Sequence, residues 1–178
     1  MAIARQRIHL PPGAWRRALT TWLRGRLWEG DAIDRFEKAF AEFIGAPAAV
    51  VVPSGRAGLL FTFDALDLPK GSDVICARFA YPVVPHIAHT LGHRVRFAEI
   101  ELETLGMDPE ALAATIHDDT KVVIATHLYG VPCRIRELAK VAKSRGAILI
   151  EDCAHCFGAS VGGVTAGAFG TYGYFSFE

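Results

Sequence analysis

At 178 residues the chain is long enough for one ordinary domain and short for two. Half of it, 51%, is hydrophobic and 21% is charged, which excludes a disordered or low-complexity chain. Lys plus Arg (19) cancels Asp plus Glu (19), arguing against a global nucleic-acid or membrane field, and no apolar run approaches the roughly 18 residues of a membrane span.

Charge is balanced in total but not along the chain. Arg5, Arg7, Arg16, Arg17, Arg24 and Arg26 precede the first acid, Glu29, and all three tryptophans (Trp15, Trp22, Trp28) fall in the same stretch. Trp15, Leu19, Trp22, Leu23 and Leu27 fit one helical stripe with arginines beside it. Such a stripe packs on the domain, on a second subunit, or on a membrane surface.

Asp31 to Phe43 repeats the helical pattern through Ile33, Phe36, Phe40 and Phe43, until Gly45 and Pro47 stop it. Ala48 to Val52 reads as a short buried strand, Pro53-Ser54-Gly55 as a turn, and Arg56 towards Asp64 as a helix. A strand follows over Asp73 to Ala77, a helix from Pro82 to Leu91, and another strand over Arg94 to Ala98. Asp108-Pro109-Glu110 is a helix start, with Asp at the N-cap and Pro at the first helical position. Lys121 to Thr126 is an apolar strand, Arg134 to Arg145 a helix closed by Gly146, and Ala147 to Ile150 the next strand. Strands alternating with helices at this spacing predict βαβ units, a mostly parallel sheet and one α/β layer structure. Six glycines then occupy residues 158–173, before the aromatic, strand-like run Tyr172 to Phe177.

Ligands gather at the carboxyl ends of strands in such sheets, and three segments converge there: Ser54-Gly55-Arg56, Thr126 to Gly130, and Glu151 to His155. The first opens a helix after a strand, so its free N–H groups suit a phosphate, although the glycine spacing fits neither a dinucleotide fingerprint nor a P-loop. Asp152 ends a strand, where an acid holds a positive ring nitrogen, a ribose, a metal or a helix N-terminus. Cys153-x-x-Cys156 invites a redox or zinc reading, but no second Cys pair or close His pair completes a zinc site in the sequence. His86, His89 and His93 share one helical face without a nearby acid and read more simply as an amphipathic stripe. Four cysteines in a chain with an apolar core do not make a disulfide framework, and with no secretory signal the expected compartment is the cytoplasm.

Read together, these segments resemble the DegT/DnrJ/EryC1/StrS family of pyridoxal phosphate sugar aminotransferases. The resemblance rests on Gly30 with Phe36-Glu37, on Pro53-Ser54-Gly55-Arg56-Ala57-Gly58-Leu59, and on Leu105-x-Met107-Asp108-Pro109-Glu110 with Thr120-Lys121. It continues through His127-Leu128-Tyr129-Gly130-x-Pro132, Glu151-Asp152-Cys153-Ala154-His155 and the run from Gly167 to Phe177. It implies a three-layer αβα fold with a mostly parallel sheet, the large domain of the fold type I architecture over residues 30–178, truncated at its C-terminus. Residues 1–29 form an Arg/Trp-rich helical segment that matches the family poorly.

The resemblance also implies roles. Gly55 and Arg56 would bind the cofactor phosphate, with Ser176 adding a hydroxyl. Tyr81 would stack on the pyridine ring, Asp152 would pair with the ring nitrogen, and His155 would sit near the ring hydroxyl. Arg56 replaces the family's usual Thr, and Pro85 a polar residue common in the helix after Tyr81. The implied substrates are a nucleotide-sugar and an amino donor, glutamate being the usual one, in a cytoplasmic homodimer without nucleic acid or a membrane span. The family's Schiff-base lysine follows the Ser-Phe pair as Ser-Phe-x-x-x-Lys, which falls beyond Glu178. Lys38, Lys70, Lys121, Lys140 and Lys143 match no catalytic position. The expectation is therefore part of a transaminase with most of the cofactor cradle, no activity of its own, and exposed apolar patches that promote association. A sugar dehydratase with His in place of the lysine and a non-catalytic partner subunit are the alternatives.

Overall fold

The computed structural model describes residues 11–25 and 31–177. Arg5, Arg7, Arg26, Leu27, Trp28 and Gly30 of the sequence reading lie outside them. Five strands, β1 Asp73–Ala77, β2 Arg94–Ala98, β3 Thr120–Thr126, β4 Ile148–Asp152 and β7 Tyr172–Tyr174, pair in the order β2-β1-β3-β4-β7. Every pairing in this sheet is parallel. β1 and β2 have the bounds that the sequence predicts, and β4 runs two residues further, to Asp152.

The sheet is covered on both faces because alternate residues of each strand point opposite ways. Ile75, Ala77, Val123, Ala125 and Leu149 pack under helices α5 (Pro109–Thr115) and α6 (Ile135–Ser144), through Leu112, Ile135, Leu138 and Ala142. Val74, Cys76, Val122, Ile124, Ile150 and Tyr174 pack under helices α3 (Gly55–Leu66) and α4 (Val83–Thr90), through Leu59, Phe63, Val84, Ile87 and Ala88. The result is the three-layer αβα arrangement. Asp108 caps α5 as the sequence predicts, accepting from the Glu110 N–H at 3.0 Å with Pro109 at the first helical position.

At the amino-terminal end one expectation fails and a second narrows to its alternatives. Residues 48–52 form no strand, and Val50 and Val51 are exposed. The apolar run is right for a strand, but a strand needs a neighbour, and the Val51 N–H instead donates to Glu37 Oε1 at 2.7 Å. The Trp/Leu stripe of helix α1 (Ala14–Leu23) does not pack on the domain: Trp15, Leu19, Trp22 and Leu23 are all exposed. Helix α2 (Ala32–Ile44) is attached by aromatic rings, with Phe40 edge-on to Phe175 at 5.0 Å and stacked on Phe157 at 6.0 Å. The glycine-rich stretch holds a small hairpin that the sequence did not announce, β5 Ser160–Val161 with β6 Val164–Thr165.

The amino edge of the sheet is fastened by charge. Asp73, whose side chain is wholly buried, receives Arg94 Nε and Arg96 Nε at 2.5 Å each, with His117 Nε2 at 2.7 Å. Burial alone would raise the Asp73 carboxyl, but its bonds to Arg96 and Arg94 outweigh that and hold it below the ordinary carboxylate value. A lowered folded pKa contributes stability at pH values above the unfolded carboxylate's, and that stability is lost as pH falls through the folded value. Urea midpoints measured from pH 6 downward are expected to drop through the acid range. Asp73→Asn is expected to flatten that drop and to cost about 2 kcal/mol at neutral pH. An unchanged acid limb in the variant would refute the assignment.

Candidate cofactor site

Glu151 and Asp152 are adjacent acids on β4, so they point to opposite faces and do different work. Asp152 lies in register with Thr126 on one side and Tyr174 on the other, at the carboxyl edge of the sheet. The Asp152 carboxylate is 4% exposed, and its Oδ1 accepts the Ala154 N–H at 3.1 Å. Burial pushes this carboxyl above its ordinary value; the Ala154 N–H, the Tyr174 hydroxyl and the imidazoles of His155 and His127 offset it only in part. The Tyr174 hydroxyl faces Asp152 without a hydrogen bond of regular geometry, and burial followed by the Asp152 charge raises its pKa well above that of a free phenol. Thr126 Oγ1 is likewise buried without a partner among the described residues. A buried carboxylate short of a cation, beside two unsatisfied hydroxyls, is an environment that a protonated ring nitrogen would complete.

Tyr174 also links this carboxylate to the amino end of α3. A side chain at Gly58 would meet the Tyr174 Cβ at 3.6 Å, and one at Gly55 would meet the Phe175 carbonyl oxygen at 3.5 Å and the Ser176 Cβ at 3.7 Å. The segment that carries Tyr174 and Ser176 thus runs close against the first turn of α3. Ser54 caps that turn, its Oγ accepting the Ala57 N–H at 3.1 Å, and Arg56 is exposed beside it. The remaining free N–H groups and the positive helix end suit a phosphate. Gly55 therefore lies beside Ser176, and Tyr174 packs against the first turn of α3 at one end and faces Asp152 at the other.

Tyr81 and His155 reach the same edge on separate loops. Tyr81 leaves the carboxyl end of β1 with its ring 60% exposed. His155 follows β4, and its ring stacks on Tyr129 at 5.9 Å. Tyr129, to which the sequence gives no role, joins this edge through that stack. It occupies a tight turn closed by the Val131 N–H to Leu128 carbonyl bond of 2.9 Å, with φ +54° at Tyr129 and +85° at Gly130. A left-handed tyrosine costs about 1 kcal/mol, a strain that clusters at functional sites. The available signal was Tyr-Gly directly after a strand and its His.

Glu151, on the other face, is also absent from the sequence assignments. Its Oε1 accepts the N–H groups of Phe169 at 2.7 Å and Gly170 at 2.6 Å, and its Oε2 that of Gly167 at 2.9 Å. His127 Nε2 lies 3.2 Å from the same Oε2, while Nδ1 accepts the Cys133 N–H at 3.1 Å, so the ring donates from Nε2. One buried carboxylate thereby pins the loop that delivers β7, and with it Tyr174 and Ser176. The loop passes so close to β7 that a side chain at Gly173 would stand 2.8 Å from the Gly167 carbonyl oxygen. Gly173→Ala is expected to push backbone against backbone and cost about 2 kcal/mol, read as a lower urea midpoint. A variant as stable as the parent would show that the loop is not held there.

The expected histidine trio does not assemble. His86 and His89 are exposed on α4, whereas His93 lies after the helix, buried and stacked on Phe63 at 5.4 Å. A cleft of about 690 Å³ lies beside the site, between Phe36, Phe40, Val50, Val52 and Phe61 on one side and Tyr172, Tyr174 and Phe175 on the other. None of the six candidate residues lines it. Among the described residues no helix is long and apolar enough to cross a membrane.

Comparison with known proteins agrees with this fold. Residues 15–178 match the DegT/DnrJ/EryC1/StrS aminotransferase family. The chain is 38% identical over 156 residues to the GDP-perosamine synthase of Vibrio cholerae, covering 88% of this chain and 42% of that one. It superposes on the aminotransferase from Psychrobacter cryohalolentis with a TM-score of 0.90 at 27% identity, covering 96% of this chain and 44% of that one. It also superposes on the E coli GDP-4-keto-6-deoxy-D-mannose-3-dehydratase with bound hydrated PLP, with a TM-score of 0.80 at 30% identity, covering 87% and 42%. The chain thus spans under half the length of these relatives.

Proposed function

Since the chain belongs to the DegT/DnrJ/EryC1/StrS aminotransferase family, we propose that it is the cofactor-binding part of a pyridoxal phosphate enzyme that transfers an amino group from glutamate to a keto-sugar nucleotide. The observation that carries this reading is the buried Asp152 at the carboxyl end of β4, joined through Tyr174 to the amino end of α3. Pyridoxal phosphate supplies an electron sink when bound.

The chain's own residues would do the rest. N–H groups at Gly55 and Arg56, with the Ser176 hydroxyl, would hold the phosphate, and the Arg56 guanidinium adds a charge where the family commonly has a hydroxyl. Asp152 would keep a proton at the ring nitrogen, its charge being strengthened by exclusion of water. Tyr81 would cover the ring and His155 would meet its hydroxyl. Residues 30–178 would form this cofactor domain; the exposed Trp/Leu stripe of α1 supports a homodimer as the working assembly, and the cytoplasm would be its compartment.

None of the five lysines of these residues matches the family's catalytic position, so the amine that moves a proton would be supplied by another residue. Lys70 and Lys121 stand at the amino edge of the sheet, Lys140 and Lys143 on α6, and Lys38 is exposed on α2. The likeness to the dehydratase favours one second reading, a sugar dehydratase with His at the lysine position. The residue three positions beyond Glu178 in a longer reading frame separates them: Lys, with glutamate-dependent amination of a nucleotide-linked keto-sugar, supports the transaminase. His at that position, with loss of a sugar hydroxyl and no amination, would overturn it.

A further inference from the structure

His127, Cys153 and Cys156 offer three ligand atoms within 4.8 Å of one another, all on buried side chains. We propose that they form a site for a thiophilic divalent cation of the zinc class, separate from the cofactor cradle.

Two of the ligands come from Cys-x-x-Cys, the spacing at which two thiolates from one turn reach one ion. Here the turn is present, the Cys156 N–H bonding to the Cys153 carbonyl at 3.2 Å. The third comes from the segment after β3, the neighbouring strand, which is why the linear sequence does not complete the set. Thiolate sulfur and imidazole nitrogen are the donors that zinc-class ions select over oxygen-preferring ions.

The support around the histidine fits as well. Its Nε2–H is committed to the buried Glu151 carboxylate at 3.2 Å, the arrangement that orients metal-bound imidazoles and raises their basicity. The Nδ1 lone pair, now spent on the Cys133 N–H, is the one an ion would take. Tetrahedral coordination at metal–sulfur distances of about 2.3 Å puts ligand atoms about 3.8 Å apart, so closure needs shifts of at most about 1 Å. Binding would release the two thiol protons and leave the cation on two thiolates and one neutral imidazole. The ion would tie the turn after β4 to the segment after β3 and so stiffen the stretch that bears Asp152 and His155.

The test is a titration of the 178-residue chain, reduced with a phosphine, with Co²⁺. The expected result is a saturable one-to-one thiolate-to-cobalt absorption band that Zn²⁺ displaces. Cys153→Ser and Cys156→Ser should each weaken it about tenfold or more, while Cys76→Ser, buried in the α3/α4 core, should leave it unchanged. No saturable band, or a band that survives both ligand substitutions, overturns the site. Should a variant fail to fold, the parent decides alone: Zn²⁺ must raise its urea midpoint, and an unmoved midpoint refutes the proposal.

Discussion

Replacing Glu151 by Ala is expected to remove about 4 kcal/mol of stability, enough to unfold much of a chain whose total lies in the usual range of about 5–15 kcal/mol. The reason is the number of partners that one carboxylate serves. The N–H groups of Gly167, Phe169 and Gly170 and the Nε2–H of His127 all end on it, inside the protein. Removing the acceptor leaves those donors without water or a substitute, at about 1–3 kcal/mol for each one that stays buried. Glu151→Gln keeps one acceptor oxygen but turns an N–H₂ toward backbone donors, so its loss should be smaller, about 2 kcal/mol. Urea denaturation followed by circular dichroism reads both. An alanine variant within 1 kcal/mol of the parent would show that the glycine loop does not depend on this carboxylate.

How far the sequence discloses this structure follows from what each element needs. β1, β2, α5 and α6 carry their own signals, because alternation, capping residues and stop glycines act within a few positions. Residues 48–52 have the composition of a buried strand and lack its structure, since a strand exists only through a neighbour's hydrogen bonds, and β7 is the last strand of the described sheet on that side. The candidate site divides in the same way. Asp152 and Gly55 are legible as candidates because they stand in motifs at the carboxyl edge, and Ser176 only through the family resemblance. Glu151 was passed over because its partners are backbone N–H groups, which have no residue code, and Tyr129 because its conformation, not its composition, is unusual.

Asp152→Asn is expected to weaken binding of pyridoxal phosphate about thirtyfold or more while leaving the fold intact. Asn keeps the shape of the side chain and an oxygen for the Ala154 N–H, but it cannot balance a positive ring nitrogen. Truncating one partner of a buried charge pair costs about 2–5 kcal/mol. The cofactor-free protein should respond in the opposite sense. Because burial raises the folded pKa of Asp152 above its unfolded value, the folded state binds more protons between those two values. Stability therefore falls as pH rises from the ordinary carboxylate value through the raised one, and the Asn variant should lack that fall. Loss of cofactor affinity together with equal or greater cofactor-free stability separates a binding role from a structural one. Equal affinity for parent and variant would remove Asp152 from the site.

The central claim, that these residues form the cofactor cradle but not the covalent anchor, meets its most direct test in one titration. The 178-residue chain is titrated with pyridoxal phosphate by absorbance, then reduced with borohydride and mapped by peptide mass spectrometry. The expected result is saturable binding with no single lysine among Lys38, Lys70, Lys121, Lys140 and Lys143 specifically modified. Absence of saturable binding, or specific labelling of one of these lysines accompanied by turnover of amino groups, would contradict it.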